Sequence, residues 1–221
     1  MTSLKRGTAI TGDLFEIEHP TLGFSGPFTS HVDVSFDGIT HQVLSAANRS
    51  GFSYATTTGT FAVGDFEGHV IETMDTVATQ AVRRFQAVIG STLGVLATQT
   101  YVDATQAVRL IGELGPVSTR LGMAIDPQHA IEITGPPRVA LTTPLGVLEL
   151  TPLTGTVDAQ LPAWRGTPVR HGDLYAGTLS DDVPYLTLVT ETARGVLMLG
   201  AGTEADHAAT MVADLRLAWA A

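Results

Sequence analysis

Apolar and polar side chains alternate through FTSHVDVSF, residues 28–36. Phe28, Val32, Val34 and Phe36 fall on one face with Ser30, and Thr29, His31, Asp33 and Ser35 fall on the other. A period of two sustained over this length predicts a half-buried strand. Asp37-Gly38 follows, a pair suited to a two-residue type I′ turn because both positions need positive φ. The return strand then runs from Ile39 to about Ala47. The turn sets the register: Phe36 opposite Ile39, Val34 opposite His41, Asp33 opposite Gln42, Val32 opposite Val43, His31 opposite Leu44. His31 therefore belongs to the polar face and His41 to the apolar one, so the two cannot share a metal ion.

Further along, GFSYATTTGTFAV (51–63) predicts strand with a break near Gly59. Residues 69–89 show a helical period, with Val70, Ile71, Met74, Val77, Ala78, Ala81, Val82, Phe85, Val88 and Ile89 in one stripe and Gly90 as the stop. LGVLATQTYV (93–102) predicts strand. Asp103 and Gln106 have capping-box spacing and open a helix through Leu114, which Gly115-Pro116 ends. Residues 116–129 have loop character, 130–134 form a short strand, and Gly135-Pro136-Pro137 is a break. RVALTTPLGVLELTPL (138–153) predicts a second hairpin around Pro144-Leu145-Gly146. Residues 161–168 form a loop. Strands DLYAGTL and YLTLVTET flank an acidic turn at Ser180–Pro184, and GVLMLGAG follows a turn at Arg194-Gly195. A closing helix is predicted from a Thr203 cap to Trp219, with Ala208, Met211, Val212, Leu215 and Trp219 inward.

These elements define an α+β protein, predominantly antiparallel β-sheet with about three packed amphipathic helices. Both ends of the chain read hairpin, strand, helix, and residues 37–85 overlay 171–219 with Phe85 on Trp219. That order suggests two pseudo-repeated halves, 1–115 and 130–221, or one fused domain.

Composition narrows the function. At 221 residues the chain can bury a sizeable core unaided. Cysteine is absent, which removes disulfides, zinc–thiolate sites and thiol nucleophiles. The formal net charge is −10, with Lys5 the single lysine. That balance argues against a nucleic-acid binder, which needs a basic face, and against an anionic membrane surface. No apolar run reaches membrane-span length, and the N-terminus lacks the apolar core of a signal peptide, so a cytoplasmic protein is expected. Charged residues make up 15% and threonine occurs 31 times. A surface so poor in charge suits self-association, although a GC-rich genome skews composition the same way.

No phosphate-binding glycine loop, zinc-protease helix or nucleophile elbow is present. His31 and Asp33 are neighbours on one strand face and could pair, or could form a solvated face. His41 has the surroundings of a core histidine. His171 and Asp173, in RHGD (170–173), bring acid–base side chains within reach of each other. They are the catalytic candidates, and the plainer alternative is a hairpin turn at His171-Gly172. Asp181 and Asp182 lie beyond the following strand. Glu149 and Glu191 sit in strands with apolar neighbours and could each face a cavity. LGAG (199–202) precedes the last helix and could admit an anion to its N-terminus.

The order of VSFDGITHQVLSAAN, FSYATTTGT, a helix, RVALTT and LELTPLTGTV resembles split-barrel flavin-binding proteins over about half the chain. The resemblance implies a flavin phosphate held by basic and hydroxyl side chains. The matching stretch has Thr56, Thr57 and Thr58 and no lysine or arginine. Two functions follow as expectations. The first is a self-associating binding or assembly module whose partner is a second copy, or another protein or small molecule. It would use no metal and bind neither nucleic acid nor membrane. The alternative is a small-ligand or flavin-dependent enzyme with a pocket between sheet and helices. The cofactor is unknown.

Overall fold

The computed structural model describes residues 2–24, 26–46, 56–77, 80–90, 95–100, 103–158, 161, 166–179 and 182–220. The first strands are β1 (Ser3–Thr8), β2 (Leu14–His19), β3 (Thr29–Phe36), β4 (Ile39–Ala46), β5 (Thr56–Val63), β6 (Phe66–Val77), β7 (Gln80–Gly90) and β8 (Val95–Thr100). Helix α1 (Ala104–Leu114) leads to β9 (Pro116–Thr119), β10 (Gly122–Ile125), β11 (Glu132–Ile133), β12 (Arg138–Thr143) and β13 (Gly146–Pro152). After a single helical turn, α2 (Gly155–Asp158), come β14 (Thr167–Val169), β15 (Gly172–Thr178), β16 (Pro184–Val189) and β17 (Ala193–Leu199). Helix α3 (Ala205–Ala213) and β18 (Arg216–Ala220) close the chain. The protein is thus mostly antiparallel sheet, with two helices of more than two turns among the described residues rather than about three.

The chain divides into two compact units, one of residues 1–7, 13–28 and 138–221, the other of 8–12 and 29–137. The division at 137/138 falls at the Gly135-Pro136-Pro137 break.

In the unit of 8–12 and 29–137 the strand order is β3-β4-β8-β7-β6-β5, with β11 beside β3. The β3–β4 register is the one the turn dictates, from Phe36 opposite Ile39 to His31 opposite Leu44. Asp37 and Gly38 have φ of 49° and 75°, as type I′ geometry demands. Val32, Val34, Phe36 and Val43 are buried on one face with Ala87 and Ile89. Helix α1 lays Ala107, Leu110, Ile111 and Leu114 on them, and Met123, Ile125 and Ile10 complete the core. The capping box of α1 forms as the sequence predicts: Gln106 N–H donates to Asp103 Oδ1 (2.9 Å), and Asp103 N–H donates to Gln106 Oε1 (3.3 Å). Gly115, at φ 57°, ends the helix in the left-handed region.

The helix expected over 69–89 is instead the strand pair β6–β7, with Val70 opposite Ala87 and Phe85 opposite Glu72. Val70 and Ile71 are both buried, as are Ala87, Val88 and Ile89. Burial on consecutive residues erases the period of two, and the surviving apolar positions fit a helical stripe by coincidence. The β-branched content of the segment, including Val70, Ile71, Thr73, Thr76 and Val77, favours strand. Phe85 is half-buried rather than a helix anchor. The overlay of 37–85 on 171–219 therefore lays strand β6 on helix α3, and strand β7 on β18. Residues 116–129, expected as loop, contain the hairpin β9–β10.

That hairpin repeats a device seen in β12–β13. Thr119 and Thr143 each stand before a two-residue turn, with Gly122 and Gly146 after it. Thr119 Oγ1 donates to the Gly122 carbonyl (2.8 Å) and Thr143 Oγ1 to the Gly146 carbonyl (3.0 Å). Each hydroxyl also accepts an N–H from inside its turn, that of Leu121 or of Leu145. The sequences TRLG and TPLG carry the shared signal.

In the unit of 1–7, 13–28 and 138–221 the order is β14-β15-β16-β17-β13-β12, with a second sheet β1-β2-β18. Leu148, Leu150, Leu186, Leu188 and Leu197 form its core with Phe15, Ile17, Leu217 and Trp219. Gly195 makes room for Leu217, whose Cδ1 lies where a Cβ would sit. The closing helix stops at Ala213, and Leu217 and Trp219 belong to β18, paired with Ile17 and Phe15 of β2. A partner strand 198 residues away supplies the hydrogen bonds that local periodicity assigned to a helix. Helix α3 is capped by Glu204 without a side-chain bond, while Thr203 Oγ1 donates to the Leu145 carbonyl (3.2 Å). The turn expected at Arg194-Gly195 lies at Glu191-Thr192, because Val189 pairs with Arg194 and Thr190 N–H bonds the Ala193 carbonyl.

This packing sets the cost of three substitutions. At Gly146, φ is 143° and a Cβ would run into the Met198 carbonyl oxygen, so Gly146→Ala should cost roughly 1–3 kcal/mol or more in denaturant titration. Gly59 has open space around its Cβ position, and Gly59→Ala should stay within about 0.5 kcal/mol. Trp219 is buried, and its Nε1–H donates to Asp13 Oδ2 (3.1 Å), so Trp219→Ala should cost about 3–5 kcal/mol. An unchanged thermal midpoint for Trp219→Ala would contradict the β18 packing.

Candidate functional site

Strand β2, LFEIEH, alternates Leu14, Glu16 and Glu18 outward with Phe15, Ile17 and His19 inward. Strand β18 does the same, with Leu217 and Trp219 inward and Arg216 at its exposed start. Register sets Arg216 directly opposite Glu18, and Arg216 Nη1 lies 3.2 Å from Glu18 Oε2. Such a pair on an open sheet face contributes little stability on its own, but it fixes both side chains at one end of the sheet.

His19, 2% exposed, closes that end. Its Nδ1 accepts the N–H groups of Thr21 (3.0 Å) and Leu22 (2.6 Å). With two donors aimed at Nδ1, the ring proton sits on Nε2 and is donated to the Met211 carbonyl (2.8 Å) in the last turn of α3. The ring thus adds a second donor to a helix-end carbonyl near the C-terminus of α3. Asp214 caps the helix there, and its N–H also reaches Met211 O and Val212 O.

Beside this junction the β14–β15 hairpin turns through Arg170-His171, since Val169 pairs with Gly172. Gly172 is required there because a Cβ would meet the Val189 carbonyl oxygen. The result is a cleft of about 290 Å³ lined by Thr2, Glu18, Pro20, Arg170, His171, Asp214 and Arg216. His171 therefore lines a cleft. Asp173 lies in β15, paired with Pro168 and Val189, and is not part of the lining.

The other sequence candidates are dispersed. His31 and Asp33 share the half-buried face of β3, and His41 is buried on the opposite face. Glu149 is half-buried in β13, opposite Ala140 and Val196. Glu191 is exposed in the β16–β17 turn rather than in a strand. Asp182 has φ 58°, and Ser180 and Asp181 lie outside the described residues. The anion reading of LGAG meets Glu204 and Asp206 at the start of α3, and carboxylates there disfavour an anion. Thr57 and Thr58 are exposed on β5, where Thr58 Oγ1 donates to the Val70 carbonyl (3.3 Å). That hydroxyl is engaged with the backbone, and the strand carries no cation. Among the described residues no three His, Asp or Glu side chains converge in a metal-binding group, and no helix is long and apolar enough to cross a membrane.

Sequence reasoning missed Glu18, His19, Arg170, Asp214 and Arg216. The period of two in LFEIEH could have placed Glu18 and His19 on opposite faces. Nothing local links them to Arg216. Compared with protein-family models, with curated proteins and with solved structures, the chain finds no match in any of the three.

The His19 contacts carry a prediction. His19→Ala leaves the buried Leu22 N–H and the part-buried Thr21 N–H without their acceptor and removes one of the donors to the Met211 carbonyl, so it should cost about 1–3 kcal/mol in urea denaturation. His19→Asn, whose side-chain oxygen can take the place of Nδ1, should recover part of that loss.

Proposed function

We propose that the protein is an assembly module of the cytoplasm that pairs with a second copy of itself through strand β5. The observation that supports this reading is the character of the strands that end each sheet. β14 has three residues and contains Pro168, which shortens and blunts that edge. β1 carries Lys5 and Arg6. On β18, Thr192 Oγ1 accepts the Trp219 N–H (3.1 Å), and Thr190 Oγ1 donates to the Leu217 carbonyl (3.2 Å). β5, TTTGTFAV, has eight residues, no charge and no proline, and among the described residues it ends its sheet beyond β6. Its one irregularity is a bulge between Thr57 and Gly59. Phe61 and Val63 pack against the core while Thr60 and Ala62 are exposed.

An uncharged edge of that length is a template for another strand. Antiparallel pairing of two β5 strands about a two-fold axis closes the assembly as a dimer and removes the edge. The net charge of −10 fits a protein partner better than nucleic acid.

Light scattering after size exclusion tests the proposal. The expected mass is twice the 23.2 kDa chain. In a two-fold strand pair the central residues face their own copies, so Thr60→Lys sets like charges close together. Thr60→Lys should shift the protein to monomer without lowering its α-helix or strand content by circular dichroism. A wild-type mass of 23.2 kDa at every accessible concentration would defeat the proposal, as would a dimer indifferent to Thr60→Lys and Ala62→Lys together.

A further inference from the structure

We propose that the cleft beside the β14–β15 turn binds a small zwitterion, a molecule with a carboxylate or phosphate at one end and an ammonium at the other. The proposal does not depend on self-association.

Two opposite charges carry it. Arg170 and Asp214 both line the cleft, and neither side chain has a hydrogen bond or ion pair among the described residues. They do not pair with each other across it. The remaining charges of the wall, Glu18 and Arg216, are already paired at 3.2 Å. The guanidinium of Arg170 offers a planar fork of N–H donors suited to a carboxylate or phosphate. The carboxylate of Asp214 can accept from an ammonium. His171 and Thr2 add polar groups, and Pro20 adds an apolar surface.

Balance of charge selects the ligand class. An anion bound at Arg170 alone would feel the carboxylates of Asp214 and Glu18. A cation bound at Asp214 alone would feel Arg170 and Arg216. A molecule carrying both charges meets its opposite at each end and leaves the cleft's net charge unchanged. The volume of about 290 Å³ lies at the small end of ligand pockets, so the fitting molecule has the size of a free amino acid. Because Arg170 and Asp214 are exposed, water screens both contacts and the affinity should lie near the millimolar range.

Saturation-transfer NMR on the full chain tests this, with glycine, γ-aminobutyrate and phosphoethanolamine as zwitterions and acetate, inorganic phosphate and methylammonium as single-charge controls. At least one zwitterion should bind about tenfold more tightly than any control. Arg170→Gln and Asp214→Asn should each weaken it by about tenfold, the loss expected for a contact to a charged group. Neither side chain supports the core, so both variants should melt as the wild type does. Exchanging the two, Arg170→Asp with Asp214→Arg, should restore binding. Phosphate or acetate binding as tightly as the zwitterions would reduce the cleft to an anion site and overturn the proposal. So would the absence of binding by every zwitterion, or binding that survives both single variants.

Discussion

Register in this protein rests on turns of two residues. A two-residue connection leaves an antiparallel pair no freedom to slip, and a slip of one residue would send every side chain to the wrong face. Asp37-Gly38, Arg120-Leu121, Pro144-Leu145 and Arg170-His171 each close a hairpin in this way. The buried row Val32, Val34, Phe36 exists because Asp37 and Gly38 adopt positive φ. The Arg170-His171 turn brings both side chains to the cleft because Val169 and Gly172 are already paired. Where Gly146 and Gly172 follow their turns, a backbone carbonyl occupies the space of a side chain, so the turn and the neighbouring strand constrain each other.

Threonine links turns to edges. Thr119 and Thr143 hold their turns from the shoulder, using one hydroxyl as donor and acceptor together. Thr190 goes further: its hydroxyl accepts the Ala193 N–H and lies within reach of both the Ala193 and Leu217 carbonyls. A short side chain that both gives and accepts a hydrogen bond can satisfy backbone groups that no strand reaches. Part of the threonine enrichment is therefore structural. The threonines of β5 differ in that several remain exposed on a strand that ends its sheet. Composition alone does not separate these uses.

His19 shows how the end of β2 is joined to α3. A neutral imidazole bridges two backbone donors of one segment and a carbonyl of another. Of the charged residues around it, Glu18 adjoins His19 along the chain, Asp214 follows Met211 at the end of α3, and Arg216 stands opposite Glu18 on β18. They reach solvent at the cleft because the inward positions are taken by His19, Leu215 and Leu217. The polar site is in this sense the outer surface of a packing junction.

The sequence by itself determined what short-range chemistry controls. The β3–β4 register, the α1 capping box, the β12–β13 hairpin and the break near Gly59 could all be read from residues a few positions apart. The α+β class followed from these. Tertiary structure decided what depends on distant partners. Residues 69–89 fit a helical stripe, yet they pair as strands β6 and β7, with consecutive residues buried at Val70-Ile71 and Ala87-Val88-Ile89. Trp219 continues the stripe of α3, yet β2 draws it into a strand. The cleft shows the same division: His171 stood out beside Asp173, but the structure surrounds it with residues from β2, α3 and β18. Periodicity records how a segment could bury its apolar side chains. The choice between helix and strand falls to whichever partner supplies the backbone hydrogen bonds, and such a partner can lie most of the chain away.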